Sequence, residues 1–338
     1  MTTIGESGSG IRDTIGGRHR VFVTRRLPPA TEAELATRYD VHLNRTDEAC
    51  APAMLVDAAR DFDAIVSTVA DDVPAAVFEA ERRRIGIVAN YGVGFDRIDL
   101  AAARAHRVVV TNTPGVLTED TADLAMMLLL AAARRAGEAE RQLRSGNWQG
   151  WRPTHMLGRR VNGAVLGIVG FGRIGAAVAR RAHCGFEMRV LFVNPSAPNA
   201  SVVAEAEAER CATIEELLAR SDFVSLHAPA GPDARHLLDR RRLGVMRPGA
   251  ILVNTARGEL VDEAALADAL ESGAIAAAGL DVHEREPVVS ARLLALENVV
   301  LLPHIGSATT ASRVAMGDRV LANLDAYFRG LAPPDRVA

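Results

Sequence analysis

The sequence predicts an α/β fold of two domains, each a parallel sheet covered by crossover helices. Three observations carry this expectation. The chain has 338 residues, more than one ordinary hydrophobic core accommodates. From Val21 onward, short apolar runs rich in β-branched residues alternate with helical patterns, the signature of strand–helix–strand units. That alternation runs through twice, and one long helical stretch separates the two passes.

In the first pass, strands are expected at Val21–Thr24, Val41–Leu43, Ala64–Ser67, Ile85–Ala89 and Val108–Thr111. Helices fall between them at Glu32–Arg38, Ala51–Ala59, Pro74–Arg82 and Asp99–Ala105, which makes a small flavodoxin-like sheet. Thr118 then reads as the N-cap of a long helix, with Glu119 and Asp120 suited to the positive end of its dipole and Gly146 near its close. Such a helix would be roughly 40 Å long and reads as a connector between domains. The second pass places strands at Val165–Val169, Arg189–Val193, Phe223–Leu226, Ile251–Asn254, Ala277–Leu280 and Val299–Leu302, with helices at Ile174–Ala182, Ile214–Arg220 and Glu263–Ser272. Six strands with crossover helices is the count of a Rossmann-like sheet. A final amphipathic helix, about Ala308–Phe328, puts Val314, Leu321, Leu324 and Phe328 on one side and stops before Gly330 and Pro333–Pro334. It is expected to fold back onto the first domain.

Composition narrows the partners. Basic and acidic residues are nearly balanced, 39 against 42, so no electrostatic argument supports a nucleic acid or an anionic membrane. Cys50, Cys184 and Cys211 have neither CxxC nor metal-ligand spacing and read as reduced, buried thiols, with no metal implied. The longest apolar run, Leu124 to Ala133, covers about half of what a bilayer requires and ends at Arg134 and Arg135. Residues 1–18 carry no apolar segment of the signal-peptide kind and read as a flexible polar tail. A cytoplasmic protein with a small ligand is the expectation.

Gly170-Phe171-Gly172-Arg173-Ile174-Gly175 follows one expected strand and opens a helix, the context in which such a turn cradles a dinucleotide pyrophosphate. The residue expected to meet the adenosine ribose is Asn194, where NAD-type sites place an acid. Asn does not repel a 2′-phosphate, yet no Arg follows directly. The cofactor therefore reads as NADP or NAD, with NADP slightly favoured. Gly170, Asn194, His227, Arg257, Asp281 and His304 each come just after an expected strand, so one rim of one sheet collects them.

Reducing a keto acid with hydride requires a cation for the carboxylate, a group that polarises the ketone, and an acid for the new alkoxide. Arg257 can supply the first two through its planar fork. His304 is the candidate acid, because imidazole titrates near neutrality. Glu286 would raise the basicity of His304 by pairing with it, although Glu284 competes for that task. Asp281 either caps a turn or binds the nicotinamide carboxamide, and His227 and His283 line the site or support it. In the first domain, the turn Asn90–Asp96 can offer the backbone N–H groups of Val93 and Gly94 to a carboxylate.

The blocks Tyr91–Asp99, Gly167–Gly175, Asn254–Gly258, Gly279–Pro287 and Pro303–Thr309 resemble those of the D-isomer-specific 2-hydroxyacid dehydrogenases. Gly146–Pro153 and Leu301–Thr309 are most similar to the glyoxylate/hydroxypyruvate reductases within that family. The resemblance implies two domains with the active site in the interdomain cleft. Residues 19–112 with 306–338 would bind substrate, and residues 113–305 would bind NAD(P). It implies catalytic Arg257, Glu286 and His304, and substrate contacts at Val93, Gly94, Trp151, Arg257 and His304. Cofactor contacts would be Thr121, Gly170, Gly172, Arg173, Ile174, Gly175, Asn194, His227, Pro229, Thr255 and Asp281. A homodimer is implied as well, in which Trp151 reaches a neighbouring subunit's pocket; the plainer reading of Trp151 is an aromatic anchor after the long helix. His283 stands where an aromatic or apolar residue is commoner.

A 3-phosphoglycerate dehydrogenase would often carry regulatory domains for which the chain has no room after Ala338. Formate dehydrogenases of this fold lack a carboxylate at the Glu286 position. A dinucleotide-sensing co-repressor of the same fold would resemble the enzymes even at Arg257, Glu286 and His304.

Overall fold

A computed structural model describes residues 17–338, so the expected polar tail lies, as far as residue 16, outside the described residues. The chain divides into two compact units, one running to Val116 and resuming at Thr309–Ala338, the other Leu117–Ala308.

The first unit holds five parallel strands, β1 (Arg20–Val23), β2 (Asp40–Leu43), β3 (Ala64–Thr68), β4 (Ile87–Tyr91) and β5 (Val109–Thr111), in the order β2-β1-β3-β4-β5. Strands β3 and β4 are buried almost throughout, as parallel strands covered on both faces must be. The helix Thr310–Phe328 packs on β4 and on the helix Pro29–Arg38. Its cap is Thr309, whose hydroxyl accepts from the Ser312 amide. A Cβ at Gly317 would lie 2.1 Å from the Thr31 hydroxyl, so the two helices approach to a distance only glycine permits. Met316, Val320, Leu321 and Leu324 form its buried stripe, whereas Val314 and Phe328, expected on that face, are half-buried.

The second unit contains a seven-stranded parallel sheet, one strand more than expected. Its strands are β6 (Val165–Val169), β7 (Arg189–Val193), β8 (Glu209–Arg210), β9 (Phe223–Leu226), β10 (Ile251–Asn254), β11 (Ala277–Leu280) and β12 (Val299–Leu301). The order β12-β11-β10-β9-β6-β7-β8 is doubly wound, and the chain changes direction between β6 and β9. The added strand β8 is two residues long, too short for any periodicity to reveal.

The expected single long helix is two helices. It runs Thr118–Ala133, breaks, and resumes as Ala136–Arg144. Arg159 explains the break: its amide donates to the Ala133 carbonyl at 2.7 Å, and a Cβ at Gly158 would lie 2.4 Å from that same oxygen. A continuous helix would need that carbonyl for the amide four residues on. Arg135 instead takes a left-handed conformation, φ 53°. The first segment is also no free-standing connector, because it packs on the helix Arg173–Phe186 and on β10 and β11, burying Leu128 and Leu129. Leu117, not Thr118, is its N-cap, without a side-chain hydrogen bond. Cys50 and Cys211 are buried thiols, whereas Cys184, expected buried, is exposed beside Gly185 on the solvent face of its helix. Among the described residues, no helix is long and apolar enough to cross a membrane.

Candidate active site

The site is built along the carboxyl edge of the seven-stranded sheet. β6 leads into Gly170, which has φ +93° and sits so close to the chain after β9 that a Cβ would lie 2.7 Å from the His227 and Ala228 backbone. A Cβ on Gly175 would lie 2.2 Å from the Gly170 carbonyl, so helix and strand pack at glycine distance. A Cβ on Gly172, the N-cap, would meet nothing within 4 Å. The turn therefore leaves open space in front of a helix N-terminus, with Gly172 and Arg173 exposed and Ile174 half-buried at its lip. These features fit a pyrophosphate, which needs close backbone approach and free N–H groups.

Asn194 follows β7, and its amide oxygen accepts from the Phe171 N–H at 3.0 Å. Its amide nitrogen donates to the carbonyl and hydroxyl oxygens of Ser196. Arg210, on the neighbouring β8, donates to the Asn194 carbonyl at 2.9 Å. After β9, half-buried His227 meets the Ser225 hydroxyl at 2.8 Å, and burial pushes its imidazole down to about 4, so it is neutral at ordinary pH. Pro229 stands exposed beyond it.

Arg257 lies on the turn after β10. Asn254 shapes that turn, accepting from the Ala256 amide and donating to the Arg257 carbonyl at 2.8 Å. Buried Thr255 beside it has a hydroxyl without a partner among the described residues. Gly258 then presses on the next strand's loop: a Cβ there would lie 1.9 Å from the His283 carbonyl carbon and 2.4 Å from the Glu284 amide. In sequence, Asn254 and Gly258 read only as the setting of Arg257, with no role given to either. An Asx-type turn opening three residues before Arg257 was the available signal for the first.

His304, after β12, has φ +56°, rare for a residue with a Cβ. Asp281 and Thr121 hold it there. The Asp281 carbonyl accepts from the His304 amide, and its carboxylate accepts from the Ile305 and Gly306 amides at 2.7 and 2.8 Å. Thr121 donates to the Gly306 carbonyl. Burial raises the Asp281 carboxyl above its usual range against the pull of those amides. Two residues expected to touch cofactor thus anchor the loop of His304.

The structure separates the two competing carboxylates. Glu286 lies 2.9 Å from His304 Nδ1, and the His283 amide donates to its other oxygen. Glu284 pairs instead with Arg235 and His236. Burial pushes the Glu286 carboxyl up, but the hydrogen bond and charge of His304 outweigh it and hold the group below the usual carboxylate range. The Nδ1–H facing Glu286 sets the tautomer and leaves Nε2 to carry any proton toward a ligand. His283, uninterpreted from sequence, ties the Glu286 loop to the residue just after β12, meeting the Leu302 carbonyl at 3.0 Å through Nε2.

In the first unit, the carbonyls of Gly92, Val93 and Gly94 are all bound, by the side-chain amides of Asn90 and Asn112 and the Thr113 N–H. Trp151 is 84% exposed and Trp148 53%.

A family model described as D-isomer specific 2-hydroxyacid dehydrogenase, NAD binding domain, matches residues 126–306. The chain is 47% identical over 320 residues to a glyoxylate reductase of Korarchaeum cryptofilum, covering 94% of this chain and 95% of that one. It is 37% identical over 313 residues to a glycerate dehydrogenase of Hyphomicrobium methylovorum, covering 93% and 97%. Among solved structures, the NADPH-dependent glyoxylate/hydroxypyruvate reductase of Sinorhizobium meliloti, in complex with NADP and malonate, superposes with a TM-score of 0.84 at 34% identity, covering 95% and 97%. With its nicotinamide dinucleotide turn and strand-end residues, the chain belongs to the D-isomer specific 2-hydroxyacid dehydrogenases.

Proposed function

We propose that the chain reduces a compact 2-keto acid of the glyoxylate and hydroxypyruvate class to the D-2-hydroxy acid, reversibly, and takes NADPH in preference to NADH. The observation that carries the reading is the 2.9 Å pair of His304 and Glu286 on the same strand edge as the turn of Arg257 and the glycine cradle. Gly170, Gly172 and Gly175, with Arg173 and Ile174, would hold the pyrophosphate, and Asn194 would stand beside the adenosine ribose. His227, Pro229 and Thr255 would line the rest of the cofactor's path, and the reduced nicotinamide supplies the hydride when bound.

The protein supplies charge and a proton. Arg257 pairs with the substrate carboxylate and polarises the keto oxygen. As the carbonyl carbon gains hydride, its oxygen gains negative charge and takes the proton from His304 Nε2. The imidazolium that gives the proton is stabilised by ionised Glu286, so the pair acts as one acid. In the oxidative direction the same nitrogen accepts the proton. Asp281 and Thr121 keep that nitrogen in place through the 304–306 backbone.

The names of the relatives support the substrate class, and the absence of a carboxylate at position 194 supports the cofactor preference. The exposed apolar side chains Leu143, Trp148, Trp151 and Leu157 support a homodimer in which a second copy covers them, Trp151 reaching toward that copy's substrate. Steady-state kinetics over a panel of 2-keto acids with both dinucleotides tests the reading. The highest kcat/KM is expected on glyoxylate or hydroxypyruvate with NADPH, and a preference for a bulky aromatic keto acid would overturn the substrate assignment.

A further inference from the structure

We propose that Arg210 reads the 2′-phosphate of the dinucleotide and is the specificity-determining cation of the adenosine end. The inference deepens the dinucleotide-binding reading above and rests on it.

Asn194 occupies the position from which an acid would accept hydrogen bonds from the ribose hydroxyls. Both ends of its amide are already engaged, the oxygen by Phe171 and the nitrogen by Ser196. It braces the glycine turn, offers no negative charge, and leaves discrimination at the 2′ position to its surroundings. Those surroundings include the Arg210 guanidinium. β8 runs parallel to β7 with Phe192 opposite Arg210, and the Arg210 side chain extends to the Asn194 carbonyl at the carboxyl end of β7.

That contact engages one of five N–H donors in a planar fork suited to phosphate. Among the described residues, no carboxylate lies within ion-pair distance of Arg210, whereas nearby Arg220 is held by Glu209 and Glu216. Arg210 is exposed, anchored by a backbone carbonyl, and not neutralised by a carboxylate among the described residues. The Ser196 hydroxyl accepts from Asn194 and so keeps its own proton to donate. Arg210 and Ser196 flank Asn194 as a cation and a donor, the pair a phosphate monoester on the ribose requires. Nothing in the order of residues after β7 reveals this, because the cation arrives from the next strand, sixteen positions further along the chain.

Calorimetric titration of the wild type and Arg210→Gln with NADPH, NADH and 2′,5′-ADP tests the proposal without recourse to turnover. The wild type is expected to bind NADPH more tightly than NADH. In Arg210→Gln the Kd for NADPH and for 2′,5′-ADP rises about tenfold or more, while that for NADH moves by less than about threefold. Arg210→Lys retains part of the NADPH affinity, and the difference between cofactors narrows as salt rises. Equal losses for NADPH and NADH, or no loss for either, would overturn the role of Arg210, with matched thermal unfolding excluding a folding defect. A wild type that favours NADH overturns it too and leaves the dinucleotide site standing. If the wild type bound neither dinucleotide, both the inference and the reading beneath it would fall.

Discussion

Substituting Gly258 by Ala perturbs the site without touching any ionisable group. The added methyl would stand 1.9 Å from the His283 carbonyl carbon and 2.1 Å from its oxygen, where real contacts stay at or above 3.0 Å. The obstacle is backbone, so no side-chain rotation relieves it, and the turn of Arg257 must move from the 283–286 loop by about 1.1 Å. Forcing extra volume into packed structure costs about 1–3 kcal/mol. The kinetic effect is larger, because a misplacement of about 1 Å between reacting groups costs on the order of a hundredfold in rate. Here the shift separates Arg257 from Glu286, and Glu286 is tied to the His283 amide at 3.1 Å. Urea unfolding and kcat/KM for glyoxylate, measured on the same preparation, read the two effects. Wild-type kcat/KM and unchanged stability in Gly258→Ala would refute the packing of these two loops.

Three further substitutions address the other parts. Gly172→Ala places its methyl in the open space before the helix, so the dinucleotide Kd should rise at least tenfold with unchanged stability, whereas Gly175→Ala, 2.2 Å from the Gly170 carbonyl, should lower the melting temperature as well. Glu286 has its carboxyl held below the usual range, so its contribution to stability is full above the ordinary value of about 4.3 and is lost as pH falls through the lowered one. The melting-temperature gap between wild type and Glu286→Gln should therefore shrink on acidification from about pH 5 to pH 3; a gap that widens contradicts the pairing with His304. Arg257→Ala should lose several kcal/mol of transition-state stabilisation, measured as kcat/KM, and Arg257→Lys should recover only part, since an ammonium cannot replace a bidentate fork.

Much of this molecule is legible in its sequence where the physics is local. Strands such as Ala64–Thr68 and Ile251–Asn254 are dense in apolar residues, and the glycine turn lies between a strand and a helix, so spacing alone locates them. The features that escaped are set from a distance. The break after Ala133 arises because Arg159, remote along the chain, takes its carbonyl. Glu286 reads from sequence as the partner of His304 with Glu284 in competition, and the fold sends the first to His304 and the second to Arg235. Asp281 reads from sequence as facing cofactor or capping a turn, and its carboxylate caps the turn beside His304, a clamp that accepts from two amides, although which turn it caps is set by the fold. The left-handed backbone of His304 follows from that clamp and leaves no mark in the residues around it.

In the proposed mechanism the imidazole at 304, held by Glu286, delivers the proton while Arg257 holds the keto acid. Oxidation of NADPH followed at 340 nm with glyoxylate, in the wild type and in His304→Ala, measures it directly. Turnover in the wild type and a fall of about 10²–10⁴-fold in the variant, at unchanged NADPH affinity, is the predicted result. Equal rates in the two proteins, or no turnover in either, would contradict it.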